Sequence, residues 1–333
     1  MPHAVKFSQF GGPDVLELVP MTRPVPADGE VVVEVMAAGL NPAETAVREG
    51  RYQSEYPLTF PVGQGSDFAG FISAIGSGVT GWAVNDAVFG HTILASHANF
   101  VVVPAGNILH KPDHLPWEVA GSLFVAASLA WNAVADANPA AGQTVLVHAS
   151  AGGVGWIAAQ LARLRGATVI GTASPSHFDH LRQIGVIPIA HGPDLTERLA
   201  ALAPGGIDFE LDHNASPSLV TIDSTDERAL AQVAVMVANH QISVPVAAIY
   251  PLGQVQDAYR ELEAGHAHGK IVLSMLPVGY AHQKVHAVDI RASEAMKDDP
   301  NRAPYPHTHE ALPPVLGHRR GQPHPHYVEG DID

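Results

Sequence analysis

The stretch Thr144-Val-Leu-Val-His-Ala-Ser-Ala-Gly-Gly-Val-Gly-Trp-Ile-Ala-Ala-Gln-Leu-Ala-Arg163 constrains this chain more than any other. Thr144 to Val147 is short, apolar and β-branched, as a buried strand is, and Ser150 to Gly155 is a glycine-rich turn. Ile157, Leu161 and Leu164 then recur at helical spacing. Strand, turn and helix in this order build a dinucleotide site. At Gly152 the backbone can approach a pyrophosphate with no Cβ in the way, Gly155 lets the helix lie against the strand, and the helix N-terminus offers free N–H groups to the anion. Ser150 stands where the first glycine of G-x-G-x-x-G would be. The cofactor-binding set read from this turn is Ser150, Ala151, Gly152, Gly153, Val154 and Gly155.

The next strand, Thr168 to Thr172, runs into Ala173-Ser174-Pro175-Ser176-His177, with no Asp or Glu at its end. A carboxylate there would accept the ribose 2′-hydroxyl of NAD and repel a 2′-phosphate. Ser174, Ser176 and His177 can instead donate to phosphate oxygens, which favours NADPH. Thr172 and Ser174 therefore join the cofactor-binding set, although Ser174 or Ser176 could equally cap the helix through Leu181 and Ile184.

Of the 333 residues 46% are hydrophobic, enough for a large core in two lobes. The chain has no cysteine, which removes disulfides, thiolate nucleophiles and cysteine zinc sites together. A net charge of −15 argues against a nucleic-acid groove. Neither a signal stretch nor an apolar run of bilayer-spanning length is present, so the expectation is a cytoplasmic protein with no membrane partner.

Before residue 118 the pattern is β-rich: Glu30 to Met36, Phe68 to Ala74, Ala87 to Phe89 and Phe100 to Val103 read as short strands of an antiparallel barrel. Trp117 to Asn138 reads as helical and alanine-rich. Val244 to Ile249, a helix through Val255, Tyr259 and Leu262, and Ile271 to Leu273 follow later.

Six segments in order carry a family resemblance: Phe10-Gly-Gly-Pro-Asp-Val-Leu-Glu17, Gly29 to Pro42, Phe60-Pro-Val-Gly-Gln-Gly-Ser-Asp-Phe-Ala-Gly70, Val79 to Gly90, the glycine turn, and Gly265-His-Ala-His-Gly-Lys-Ile-Val-Leu273. Together they resemble the zinc-independent quinone oxidoreductase branch of the medium-chain dehydrogenase/reductase superfamily. The resemblance implies a GroES-like β-barrel lobe (1–118), an NADP-binding Rossmann-type parallel-sheet lobe (119–242) and a return to the barrel lobe (243–276). It also implies hydride transfer from NADPH to a quinone or an α,β-unsaturated carbonyl, and suggests a homodimer. By match to the family's positions, Asn41 and Tyr52 lie at the cleft mouth as catalytic candidates, and Lys270 joins the cofactor-binding residues. Where zinc-dependent relatives carry a Cys and Gly-His-Glu, this chain has Asn41 and Gly65-Ser66-Asp67, so no metal is expected. Asp67 is read as structural, capping backbone N–H groups or pairing with an Arg such as Arg48.

Three departures from the family pattern stand out. Ala127-Ser128-Leu129 replaces the usual Gly-Leu-Thr, and Ser128 could stand in for the threonine only if the helix were turned or shifted. Ile207 to Leu211 and Leu219 to Ile222 read as the fourth and fifth parallel strands. Only Asp212 to Ser218 separates them, too few residues for a parallel crossover, so the Rossmann-type lobe reads as truncated in its late strands. From Pro277 onward the chain is rich in Pro and His without periodicity, a composition expected of a disordered tail. There, His307, His309, His318, His324 and His326 form no expected specific metal site. Two readings of function stay open: an NADPH-dependent reductase, or an NADPH-binding protein with impaired turnover and a regulatory or structural role.

Overall fold

The computed structural model describes residues 1–54, 57–212, 227–265 and 267–275. The first lobe contains β1 (His3–Phe7), β2 (Glu17–Pro20), β3 (Glu30–Gly39), α1 (Pro42–Arg48), β4 (Val62–Gly63), β5 (Asp67–Ile75), β6 (Ala87–His91), β7 (Phe100–Pro104) and β8 (Ile108–His110). β3 organises it. Its sequence Glu-Val-Val-Val-Glu-Val-Met-Ala-Ala-Gly is buried along nearly its whole length, and it pairs antiparallel with both β5 and β7. Val31, Val33 and Val35 pack against Phe68, Ile72, Val101 and Val103, the interior of a GroES-like barrel.

The chain then passes through α2 (Trp117–Ala120) and α3 (Phe124–Ala137) to β9 (Thr144–Val147), α4 (Gly153–Leu164), β10 (Thr168–Ala173), α5 (Phe178–Gln183), β11 (Ile187–Ala190), α6 (Leu195–Leu202) and β12 (Phe209–Leu211). The four strands are parallel in the order β11-β10-β9-β12. Alternation along β9 explains the two covered faces. Val145 and Val147 share a cluster with α3 and α4, whereas Leu146 joins Ile170 and Ile189 under Leu195 and Leu199 of α6. Strand order reverses between β9 and β12, the switch point beyond whose C-terminal ends open parallel sheets bind ligands, and the glycine turn follows β9 there.

The helical stretch expected from Trp117 to Asn138 is broken at Gly121. There the Gly121 carbonyl accepts the Gly39 N–H of β3 at 2.6 Å, so a contact with the barrel interrupts the helix. The expected fifth parallel strand, 219–222, lies outside the described residues, as does everything expected of the tail from Pro277. The remaining elements are α7 (Glu227–Ala238), β13 (Val246–Pro251), α8 (Val255–Ala264) and β14 (Lys270–Ser274). β13 pairs parallel with β14, and β14 pairs antiparallel with β3, so after α7 the chain goes directly back to the barrel sheet.

α4 sits close on the first strand of the parallel sheet because position 155 has no side chain. A Cβ at Gly155 would meet the Ala149 carbonyl oxygen at 2.5 Å and Ser150 Cα at 2.8 Å, both backbone atoms that cannot rotate aside. Gly155→Val is therefore expected to lower unfolding stability by about 1–3 kcal/mol, measured by urea denaturation. A change within about 0.5 kcal/mol, the range of ordinary surface substitutions, would show that helix and turn are not seated this tightly.

Candidate active site

The glycine turn leaves β9 and is pinned to β10 by three hydrogen bonds. Ser150 N–H and Oγ both donate to the Thr172 carbonyl, at 2.9 and 3.1 Å, and the Ala149 N–H donates to Thr172 Oγ1 at 3.0 Å. Ser150 and Thr172 are completely buried, so they hold the turn from behind. Gly152 precedes α4 in extended conformation, exposed, and a Cβ there would meet only the Ala149 oxygen at 3.2 Å. The first bond of the helix runs from Trp156 N–H to the Gly152 carbonyl. The amides of Gly153, Val154 and Gly155 thus precede any intrahelical partner and form an anion cradle. Ser174 and Ser176 are exposed on the turn that follows β10.

Lys270 joins this turn to the barrel lobe. Its aliphatic stem runs beside Gly153, where an added Cβ would meet Lys270 Cδ at 2.8 Å. Its buried ammonium donates to Asn41 Oδ1 at 2.6 Å and to the Leu40 carbonyl at 3.0 Å, and lies 3.6 Å from Asp67 Oδ2. Asn41, at the start of α1, donates through Nδ2 to Asp67 at 3.1 Å and to Glu44 at 3.3 Å. As placed, its amide is spent within the protein on both donor and acceptor sides.

Asp67 is fully buried and also accepts the Val125 N–H, at 2.8 Å, in the first turn of α3. This is the backbone-capping role expected from sequence, with favourable placement of negative charge at a helix N-terminus. Arg48 pairs elsewhere, with Glu263 at 2.5 Å. Burial above all pushes the Asp67 carboxyl up to about 6, against the pull of Lys270, the Val125 N–H and Asn41.

Sequence reasoning missed the continuation of this network. Glu44 accepts the Asn41 N–H at 3.1 Å and the Tyr259 hydroxyl at 2.6 Å, while Gln64 Nε2 donates to the same hydroxyl at 2.8 Å. Burial foremost, then the Glu44 carboxylate, holds the Tyr259 phenol well above its usual range, so it stays a donor. Asn41-Pro-Ala-Glu44 has the spacing of a capping box, the one signal that could have found Glu44. Gln64 and Tyr259 carried none.

Tyr52 is half-buried in the turn beyond the C-terminal end of α1, whereas Asn41 lies at that helix's start. Ser128 donates to the Phe124 carbonyl at 2.7 Å within α3, so its hydroxyl does not replace the family's threonine. Zinc does not fit the positions that ligate it in zinc-dependent relatives, because the Lys270 ammonium already occupies the acceptor of Asn41 and faces Asp67. Among the described residues, no group of three His, Asp or Glu side chains is placed to hold a metal ion. No described helix is long and apolar enough to cross a membrane.

A barrel lobe bolted to a doubly wound parallel sheet with a glycine turn defines the two-lobed dehydrogenase/reductase class. Residues 27–113 match the alcohol dehydrogenase GroES-like domain family and residues 147–273 the zinc-binding dehydrogenase family. Human quinone oxidoreductase is 37% identical over 173 residues, covering 51% of this chain and 52% of that protein. The rat synaptic vesicle membrane protein VAT-1 homolog is 36% identical over 209 residues, covering 61% and 51%. The chain thus spans about half the length of the curated relatives it matches. Among solved structures, Escherichia coli quinone oxidoreductase complexed with NADPH is 25% identical with a TM-score of 0.73, covering 82% of this chain and 99% of that one. The quinone oxidoreductase from Coxiella burnetii is 25% identical with a TM-score of 0.70, covering 83% and 99%. These likenesses support the quinone oxidoreductase-like branch of the medium-chain dehydrogenase/reductase superfamily.

The raised Asp67 carboxyl has a definite sign in stability. Native Asp67 takes up its proton near pH 6 and the unfolded chain near pH 4, so the ionised form costs stability above pH 6 and the cost is gone below pH 4. Between pH 7 and pH 4 the native protein should gain about 2 kcal/mol relative to Asp67→Asn, compared by urea denaturation at both pH values. A loss relative to that variant would reverse the assignment.

Proposed function

We propose that this chain binds NADPH and reduces a quinone or an α,β-unsaturated carbonyl compound. The observation that carries the reading is the run of free amides at Gly153 to Gly155 behind an open Gly152, paired with a β10 strand whose end and following turn offer Ser174 and Ser176 and no carboxylate. Bound NADPH would supply a hydride to an electron-poor carbon, the proton coming from water. The amides of Gly153, Val154 and Gly155 face the pyrophosphate, and the buried hydroxyls of Ser150 and Thr172 keep those amides in place. Lys270 acts behind the turn, holding it against the barrel lobe. Asn41 fixes the Lys270 ammonium and the Asp67 carboxylate, and so orients the cleft wall. Tyr52 offers a flat, half-buried face for a planar substrate. Conjugation in the substrate replaces the polarising metal, so geometry rather than Lewis acidity is what these residues contribute.

NADPH titration by cofactor fluorescence, followed by turnover with a simple quinone and a simple enone, tests the reading. The expected result is saturable binding with NADPH oxidation, and a loss of at least about tenfold in affinity for Gly152→Asp through bulk and charge at the phosphates. Absence of NADPH binding would overturn the proposal. Tight binding without oxidation would overturn its catalytic half alone, and normal binding by Gly152→Asp would overturn the phosphate assignment.

A further inference from the structure

Three imidazoles gather at the edge of the cradle, and only one of them, His177, is suggested by the strand-end motif. His177 closes the short turn Pro175–His177 after β10, His180 lies one helical turn on in α5, and His268 comes from the loop entering β14. His177 Nε2 and His268 Nε2 are 3.3 Å apart, their ring centroids 3.9 Å apart, and the His180 ring centroid is 5.9 Å from that of His268. His180 Nδ1 is buried without a hydrogen-bond partner. His268 precedes by two residues the lysine whose stem lies on Gly153, so the barrel lobe brings one imidazole to the phosphate turn of the other lobe.

We propose that His177, His180 and His268 form a titratable phosphate clamp for the ribose 2′-phosphate, making the preference for NADPH over NADH rise as pH falls. The inference rests on the NADPH reading above. His177 and His268 resist protonation, because a charge on either would face neighbouring imidazoles in a partly dry setting. Burial first, and then its neighbours His268 and His180, hold His177 below the usual range, and burial followed by His180 does the same for His268. A phosphate dianion reverses the balance, since it supplies the missing countercharge and gains an N–H donor when His177 or His268 takes up a proton. Binding of the 2′-phosphate is then coupled to proton uptake.

The other charged groups around the trio are already engaged. Asp179 and Arg182 of α5 pair with each other at 2.7 Å, and the Lys270 ammonium of β14 is turned inward to Asn41 and Leu40. The glycine turn contributes no ionisable side chain. The exposed Ser174 and Ser176 hydroxyls complete a donor set suited to phosphate. A transition metal is the competing ligand for imidazoles, but no described group of three is placed to hold one.

The test measures Kd for NADPH and for NADH at pH 6 and pH 8, with a chelator present, on the full chain and on His177→Asn and His268→Asn. Each variant is first shown to unfold cooperatively in urea, so either one suffices. The expected result is a ratio of Kd(NADH) to Kd(NADPH) at least about tenfold greater at pH 6 than at pH 8, the effect of taking up one proton over part of that range. Asp67 also titrates here but acts on both cofactors, and the ratio cancels it. In the variants the pH effect should shrink below about threefold or reverse, because the phosphate's own ionisation near pH 6 favours binding at the higher pH. A ratio equal at both pH values, or a pH effect that survives both substitutions, overturns the clamp. Failure of NADPH to bind at either pH overturns the cofactor assignment beneath it.

Discussion

The buried ammonium of Lys270 is the interaction on which the arrangement of the site depends. A lysine stripped of water is tolerated only if acceptors surround it, and here Asn41 Oδ1, the Leu40 carbonyl and the Asp67 carboxylate do so. Those acceptors come from the Leu40–Asn41 link between β3 and α1 and from the first residue of β5, while the stem of the same side chain lies against the first residue of α4. One residue therefore sets the distance between the glycine turn and the barrel wall at Leu40, Asn41 and Asp67.

Satisfying Lys270 also shapes its partners. Asp67 is anchored from the other side by the Val125 amide, so α3 enters the interface at a fixed point. Asn41 is a three-way link between Lys270, Asp67 and Glu44. Farther out, Tyr259 and Gln64 extend the hydrogen bonds. The polar interior is thus a connected chain, and its ionised members stay in place because each has named partners.

The strands and helix around the glycine turn were legible because their apolar spacing is local: Thr144 to Val147 and the Ile157, Leu161, Leu164 row need no tertiary information. β11 was not, since Pro188 breaks the strand pattern. A proline is tolerated there because β11 lies at the edge of the described sheet, pairing only with β10. The break at Gly121 was hidden for a similar reason, because it depends on a carbonyl accepting from Gly39, far away in sequence. In the site, the turn from β9 into α4 was readable from the glycine spacing. The Glu44–Tyr259–Gln64 extension was not, because its members lie up to 215 positions apart and share no pattern. His268 likewise joins His177 across 91 positions.

A double-mutant cycle on Lys270→Met and Asp67→Asn, read by urea denaturation at pH 7.5, tests the central claim most directly. Lys270→Met keeps the stem but leaves the carboxylate without its cation, so the single variant should lose about 3–5 kcal/mol. Replacing Asp67 as well should recover part of that loss, with a coupling of about 1–3 kcal/mol between the two positions. Additivity within about 0.3 kcal/mol, or a Lys270→Met variant as stable as the native protein, would contradict the account.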